Sequence, residues 1–182
     1  DGIDTVSYWN VKEGTGISGI DADLAIGIVI DQGGHTDTLS NIENINGSKF
    51  DDEIDGDDND NVFLGGEGDD ILRGHGGNDT LDAGAGNDEV YGGDGDDLLI
   101  QSGSGTQTFD GGAGNDTYLL DLEDWDFSED FIGEVDLETG FSGVHLNHNH
   151  PLNDTVQNIE NITLKGDVDF VLKGDAGDNI II

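Results

Sequence analysis

The chain has 182 residues, with 42 Asp and Glu against 5 Lys and Arg, which gives a formal net charge of −37. Nucleic acids and anionic membrane surfaces are poor partners for such a polyanion, whereas cations are natural ones. Cysteine is absent, so disulfides and thiolate metal sites are excluded. Only 33% of the residues are apolar, and the apolar run at 24–30 is far too short to cross a bilayer. A chain of this composition stays disordered unless a partner compensates its charge.

Residues 1–46 contain short patterns that are typical of β-strands. The stretches TVSYW at 5–9, AIGIVI at 25–30 and TLSNIENI at 38–45 mix apolar and polar residues without a helical period. We therefore expect residues 1–46 to form a spacer of short strands that caps the structure following it.

A nine-residue repeat extends from Gly47 to Leu119, with one extra residue, Gln101, before the seventh unit. The eighth position of every unit is apolar: Ile54, Phe63, Leu72, Leu81, Val90, Leu99, Phe109 and Tyr118. The sixth position is an acid or its amide: Asp52, Asn61, Asp70, Asp79, Asp88, Asp97, Gln107 and Asp116. A flexible acidic linker has no reason to keep apolar residues in such register. The period instead indicates a glycine-rich turn of six residues and a strand of three that stack in a solenoid.

The unit matches the calcium-binding pattern G-G-x-G-x-D-x-U-x, and residues 47–119 resemble the RTX (repeats-in-toxin) family of exported bacterial proteins. This resemblance implies an all-β fold, a right-handed parallel β-roll in which two units make one coil, with short flanking strands. Turns that offer only oxygen ligands suit Ca²⁺, which accepts six to eight of them. Folding and metal binding would then be one event, and calcium would remove the repulsion between the acidic turns.

The resemblance also implies the ligands, which are position-six side chains and backbone carbonyls of positions two and four below the ion and one and three above it. The predicted metal-binding residues are Asp52, Asn61, Asp70, Asp79, Asp88, Asp97 and Asp116 at position six, with Gly65, Gly66, Gly68, Gly74, Gly76, Gly77, Ala83, Gly84, Ala85, Gly86, Gly92, Gly93, Asp94, Gly95, Gly111 and Ala113 in the turns.

Position-six residues of successive coils form the predicted pairs. These are Asp52 with Asp70, Asn61 with Asp79, Asp70 with Asp88, Asp79 with Asp97, and Asp97 with Asp116. We therefore expect about five calcium ions. The remaining pair joins Asp88 to Gln107, where the pattern fails, and we expect that site to be empty or weak. His75 stands at position two, where only its carbonyl is needed.

Residues 120–164 form a second spacer, because DTVQNIENI at 154–162 repeats DTLSNIENI at 37–45. The motif NIENI suits a strand that continues into the roll. Within this spacer, residues 119–136 are the segment that could form a short capping helix. Residues 165–182 read as the start of a further array, so we expect the chain to be part of a longer protein.

The sequence HLNHNH at 145–150 is the histidine cluster of the chain, and imidazoles suit Zn, Cu or Ni. Its loop-like surroundings favour an exposed loop over such a site. Acidic pairs occur throughout, but few Arg or Lys residues are available to hold a substrate. We therefore predict that the chain is not an enzyme.

The function that these patterns favour is a calcium-dependent structural and secretion module of a large type I secreted protein, adhesin-like or toxin-like. It would lie outside the cell or on the bacterial surface, without membrane insertion, and neighbouring domains of a longer chain would be its partners. The alternatives are a carbohydrate- or ice-binding module and the C-terminal calcium module of a secreted enzyme. Position three carries no Thr from Lys49 to Asp94, which argues against ice, and the doubled spacer argues against a simple enzyme tail.

Overall fold

The computed structural model describes residues 2–9, 18–31, 33–121, 132–136, 145–146, 154–165, 169–173 and 180–181. Within these ranges every regular element is a β-strand, so the predicted all-β class is confirmed. In the same part of the chain, no helix has the length and apolar character needed to span a membrane.

The strands are short, and most of them have three to six residues. In chain order they are β1 (Thr5–Ser7), β2 (Asp21–Asp23), β3 (Ile28–Ile30), β4 (Thr36–Thr38), β5 (Asn44–Asn46), β6 (Glu53–Asp55), β7 (Val62–Glu67), β8 (Ile71–Gly76), β9 (Thr80–Ala85), β10 (Glu89–Asp94), β11 (Leu98–Gln101), β12 (Thr108–Ala113), β13 (Thr117–Asp121), β14 (Ile132–Asp136), β15 (His145–Leu146), β16 (Thr155–Gln157), β17 (Asn161–Lys165), β18 (Asp169–Lys173) and β19 (Ile180–Ile181).

Two large sheets hold most of these strands. Sheet 1 has the order β1-β5-β7-β9-β11-β13-β17-β19, and sheet 2 has the order β16-β12-β10-β8-β6-β2-β3-β4. From β5 to β13 the chain alternates between the sheets, and neighbouring strands within each sheet are parallel. Val62 pairs with Thr80, one full coil later along the chain. Two nine-residue units thus make one coil, which is the β-roll type of arrangement that the repeat predicts.

The core lies between the two sheets, and the position-eight side chains form the part of it inside the repeats. All eight of these are 0% exposed, as the period predicts. In the strand of each nine-residue unit, the position-eight residue points inward and its two neighbours point outward. One side chain per unit contributes about 1.5–3 kcal/mol when it is buried, too little to hold a short strand alone. The coils are therefore stable only as a stack.

Gln101, which the repeat leaves over as the extra residue, continues the ladder of strands. It is the last residue of β11, it pairs with Leu120 of β13, and it is fully buried. Its side-chain Nε2 donates to the carbonyl of Gly103, 2.6 Å away. The turn that begins at Gln101 therefore takes up the one extra residue. The position-eight ladder keeps its register beyond it, since Val90 pairs with Phe109.

Both NIENI motifs enter sheet 1, as predicted. Ile45 in β5 pairs with Phe63, and Ile162 in β17 pairs with Tyr118. The first Asn of each motif adopts a left-handed backbone conformation, with φ of 54° at Asn41 and 53° at Asn158. Asparagine tolerates this conformation better than most residues do. The repeated sequence therefore makes the same turn into the same kind of strand twice.

The predicted helix over 119–136 does not include the ends of that segment, because residues 117–121 and 132–136 are strands. β14 pairs with β18 in parallel and with β15 in an antiparallel fashion, which makes a separate three-stranded sheet. Residues 122–131 and the histidines at 148 and 150 lie outside the described residues.

The stack predicts that inward and outward leucines on neighbouring strands contribute differently to the free energy of unfolding. We expect Leu81→Ala, which removes a fully buried position-eight side chain, to lower the free energy of unfolding by about 2–5 kcal/mol. Leu64→Ala should change it by less than about 1 kcal/mol, because Leu64 is 42% exposed. Urea unfolding in saturating calcium measures both, and equal losses would contradict the inward ladder.

Candidate metal sites between the coils

Glycines at positions two and four shape the turns of the regular units. Gly66 and Gly68 have φ of 120° and 119°, and the equivalent Gly84 and Gly86 one coil later have 86° and 153°. Glycine adopts these conformations at little cost, whereas a side chain strains them. A Cβ on Gly84 would collide with the carbonyl oxygen of Gly66, and one on Gly86 with that of Gly68. The turns therefore stack backbone on backbone, which accounts for the glycine content.

Backbone carbonyls of adjacent coils face each other across the space between them. The carbonyl oxygens of Gly66 and Gly68, at positions two and four, point toward the next coil. In that coil, the position-one carbonyl of Ala83 points back toward Gly65, and the position-three carbonyl of Ala85 accepts the N–H of Gly68 at 3.0 Å. These are the four carbonyl positions that the resemblance assigns to an ion.

Position-six side chains form two hydrogen-bonded ladders, one along each row of turns. In every step, the Oδ1 atom of one Asp accepts the backbone N–H of the position-six residue one coil earlier. In the first row Asp52 donates to Asp70 and Asp70 donates to Asp88, at 2.8 and 2.9 Å. In the second row the donor and acceptor pairs are Asn61 with Asp79, Asp79 with Asp97, and Asp97 with Asp116, at 2.8, 2.8 and 2.9 Å. The structure thus brings together the five predicted pairs.

The second carboxylate oxygen of four of these residues is buried and accepts no hydrogen bond from the described residues. These atoms are Oδ2 of Asp70, Asp79, Asp97 and Asp116. Each lies beside a backbone carbonyl of the next coil; Asp70 Oδ2 and the Ala83 carbonyl oxygen, for example, both crowd the space over Gly65. A buried carboxylate oxygen without a partner costs several kcal/mol. A hard cation with oxygen ligands fits this arrangement.

Burial also resists ionisation of these carboxyl groups. It raises the pKa of Asp70 to about 8 and that of Asp79 to about 7, with further contributions from neighbouring carboxylates. For the same main reason the pKa of Asp88 and that of Asp116 rise to about 6. Without a positive charge nearby, the folded turns thus raise the proton affinity of these acids above its ordinary value. A divalent ion between the coils would reverse this effect.

A family comparison agrees with this geometry. The profile of the RTX calcium-binding nonapeptide repeat, built from four copies, matches residues 37–72, 64–99 and 100–118. Residues 37–118 therefore carry the RTX calcium-binding nonapeptide repeat. No curated protein matches the chain. RTX repeats are a structural, non-catalytic family. Because this repeat binds calcium, the matched residues form a calcium-binding repeat module.

The first RTX coil differs from those that follow, because the protein itself satisfies its position-six side chains. Asp52 Oδ2 accepts the N–H of Ser48 at 2.5 Å, and its Oδ1 accepts the N–H of Ile20 at 2.6 Å. Asn61 donates from its amide to the carbonyl of Glu43 at 2.9 Å. In this coil, whose residues 47–64 are all described, no side-chain oxygen is buried without a hydrogen-bond partner as Asp70 Oδ2 is.

The second spacer supplies a ladder residue that the nine-residue period does not reveal. Glu160, in the second NIENI motif, accepts the N–H of Asp116 with its Oε2 atom at 2.8 Å. The carbonyl of Asn158 lies over Gly111 together with Asp116 Oδ2. In the first motif Glu43 Oε2 likewise accepts the N–H of Asp4, at 2.9 Å. The duplicated motif was the sequence signal that could have shown this role.

The turn that contains Gln107 is closed by protein groups. Gln107 is fully buried, and its Nε2 donates to the carbonyl of Gly86 at 2.9 Å and to Asp88 Oδ2 at 3.4 Å. Its backbone N–H donates to Oδ1 of Asp154 at 2.9 Å. Asp154 Oδ2 in turn accepts the hydroxyl of Tyr118 at 2.9 Å, which ties the second spacer to the RTX core.

Side chains alone do not make these sites. Within the described ranges, no group of three or more His, Asp or Glu side chains converges in a way that could hold a metal ion. Four turns, those of Asp70, Asp79, Asp97 and Asp116, each offer one carboxylate oxygen that has no donor among the described residues, and the backbone carbonyls near it supply further oxygens. For this reason the fold of the turn, set by glycine, matters as much as the acids.

His75 occupies a position at which Gly66, Gly84 and Gly93 have positive φ, and its own φ is 73°. Its carbonyl faces Gly93 of the next coil, as predicted. Its Nε2 lies 3.1 Å from Asp55 Oδ1, a contact that is open to solvent.

This strain predicts that glycine is a better residue than alanine at position 75. His75→Gly and His75→Ala both remove the contact to Asp55, but only glycine relieves the left-handed backbone. We expect the glycine variant to be more stable than the alanine variant by about 1 kcal/mol, measured by urea unfolding in calcium. Equal stabilities would show that the turn at His75 relaxes to a different backbone conformation.

Proposed function

We propose that the chain is a calcium-dependent folding module whose coils close when calcium lies between them. The observation that supports this proposal is the set of buried Oδ2 atoms at Asp70, Asp79, Asp97 and Asp116, each left without a protein donor beside carbonyls of the next coil. When it is bound, calcium supplies positive charge that carboxylates and carbonyls of two coils share. The residues of the chain provide the rest, since glycine turns aim the carbonyls and the Asp ladders fix the carboxylates.

The sites are proposed at three of the predicted pairs and at one new one. The predicted pairs are Asp70 with Asp88, Asp79 with Asp97 and Asp97 with Asp116, and the new one joins Asp116 to Glu160. The other two predicted pairs begin at Asp52 and Asn61. We propose weaker sites there, because the side chains of these residues already have protein partners. A total near the predicted number of about five ions follows.

Export through a type I secretion system is the cellular setting that we propose. RTX repeat proteins are typically exported and extracellular. Calcium modules outside cells bind in the range of about 10⁻⁴ to 10⁻³ M, well above the calcium concentration of a cell interior. A net charge of −37 would then keep the chain unfolded inside, and calcium would fold it after exit. The folded module would hold its neighbouring domains apart, as part of an adhesin-like or toxin-like protein.

The architecture that we propose follows the same division of the chain. Residues 1–46 and 120–164 are spacers, residues 47–119 are the RTX roll, and residues 165–182 begin a further array. We propose a right-handed coil, because parallel strands joined by a crossover are right-handed in nearly all proteins.

Calcium titration tests the proposal directly. We expect circular dichroism to show mostly disorder in a chelator and a β-spectrum in millimolar calcium. Trp9 is 52% exposed in the fold and reports the transition by fluorescence. The midpoint should lie at about 10⁻⁴ to 10⁻³ M. A chain that folds in a chelator would contradict calcium dependence, and a midpoint below about 1 μM would contradict folding only outside the cell.

Adjacent acids in one turn test the assignment of ligands. Asp97→Asn keeps the Oδ1 acceptor of the ladder but replaces the unpartnered Oδ2, so the calcium midpoint should rise about tenfold or more. Asp96→Asn removes the same charge one residue away, where the side chain is exposed and accepts the N–H of Asn115. Its midpoint should change by less than about twofold. Equal shifts would mean that net charge alone, and not coordination, controls folding.

A further inference from the structure

We propose that the side-chain amide of Gln107 takes the place of a calcium ion in the turn above Asp88, so that the protein itself closes one link of the array. This inference rests on the proposed calcium sites elsewhere in the roll. It goes beyond them because it assigns Gln107 a role of its own, whereas the repeat pattern shows only that the consensus residue is missing.

The geometry around Asp88 is that of a regular RTX turn apart from one atom. Asp88 Oδ1 accepts the N–H of Asp70 at 2.9 Å, as the other ladder acids do. The carbonyl of Gly86, at position four, faces the next coil like the other position-four carbonyls. At Asp70 and Asp97 the corresponding Oδ2 atoms accept no hydrogen bond from the part of the chain that the structure describes. At Asp88 the Nε2 of Gln107 lies 3.4 Å from Oδ2 and 2.9 Å from the Gly86 carbonyl oxygen.

The chemistry of the amide explains why it can replace an ion there. An NH₂ group has two donors and partial positive charge, so it can satisfy a carboxylate oxygen and a carbonyl oxygen together. The opposite orientation would place the amide oxygen against two acceptors. Gln107 is one methylene longer than Asp, and this extra length lets its side chain reach back to the coil that carries Asp88.

Gln107 inverts the role that the position-six side chain has in the ladder. In the other steps the position-six side chain accepts an N–H from the coil before it, whereas the Gln107 side chain donates to that coil. The backbone N–H of Gln107 still donates forward, to Asp154 at 2.9 Å. Protein groups thus contact Gln107 in both directions, next to the point where Tyr118 holds the second spacer, while its amide oxygen is buried and accepts no hydrogen bond from the described residues.

Counting bound ions after restoring the consensus acid tests this role. In Gln107→Asp the new carboxylate can accept the N–H of Asp88 and free Asp88 Oδ2, so native mass spectrometry should find one more calcium ion per folded chain than in the wild type. Thr106→Asp is the control, because it adds the same charge to the neighbouring exposed residue and should leave the count unchanged. An unchanged count in Gln107→Asp would overturn the proposal.

Two further measurements keep the test decisive if Gln107→Asp does not fold. Gln107→Glu keeps the length of the side chain and should also gain one ion; no gain would overturn the proposal. In the calcium-loaded wild type, the side-chain NH₂ protons of Gln107 should exchange slowly with solvent by NMR, and fast exchange would argue against it. A wild type that binds no calcium would overturn the proposed function together with this inference, whereas normal binding without a gain in the variants overturns the inference alone.

Discussion

Buried carboxylates stacked one coil apart are the constraint on which the rest of the structure depends. Each position-six Asp is fixed by a backbone N–H of the coil before it, and this bond places it directly over the next acid. At Asp70, Asp79 and Asp97 such a bond satisfies one oxygen of the carboxylate and leaves the other among carbonyls, without a donor from the described residues. The repulsion and desolvation that result exceed what one short apolar strand per unit can offset. A cation between the coils, or a group that takes its place, would offset these costs.

The same nine-residue period meets both structural requirements. Glycine at positions two and four lets coils approach until backbone meets backbone, as at Gly84 and Gly66. The residue at position eight, such as Leu81, then fills the narrow space between the sheets. Neither feature works alone, because the strands are too short without the turns and the turns do not close without the strands.

The sequence predicted those parts of the fold that repeat, and it missed those that depend on single hydrogen bonds outside the repeat. The burial of Phe63 and its equivalents and the pairing of Asp79 with Asp97 follow from the period. The hydrogen bond of Ser48 to Asp52 does not, since a serine at position two resembles an ordinary turn residue. Glu160 and Gln107 were harder still, because one joins the ladder from 44 residues away and the other reverses donor and acceptor. Such roles depend on side-chain geometry, which periodicity does not encode.

Sheet 1 is continuous from β1 to β19, although its strands come from the two spacers as well as from the repeats. With a spacing of about 4.8 Å between strands, its eight strands span about 34 Å along the stack. Length in this architecture is counted in coils, and each added pair of units would extend the stack by one strand spacing without disturbing the others. The spacers add strands to the same stack, β1 and β5 from the first and β17 from the second. A molecule built in this way would act as a ruler, in which the number of stacked strands sets a distance.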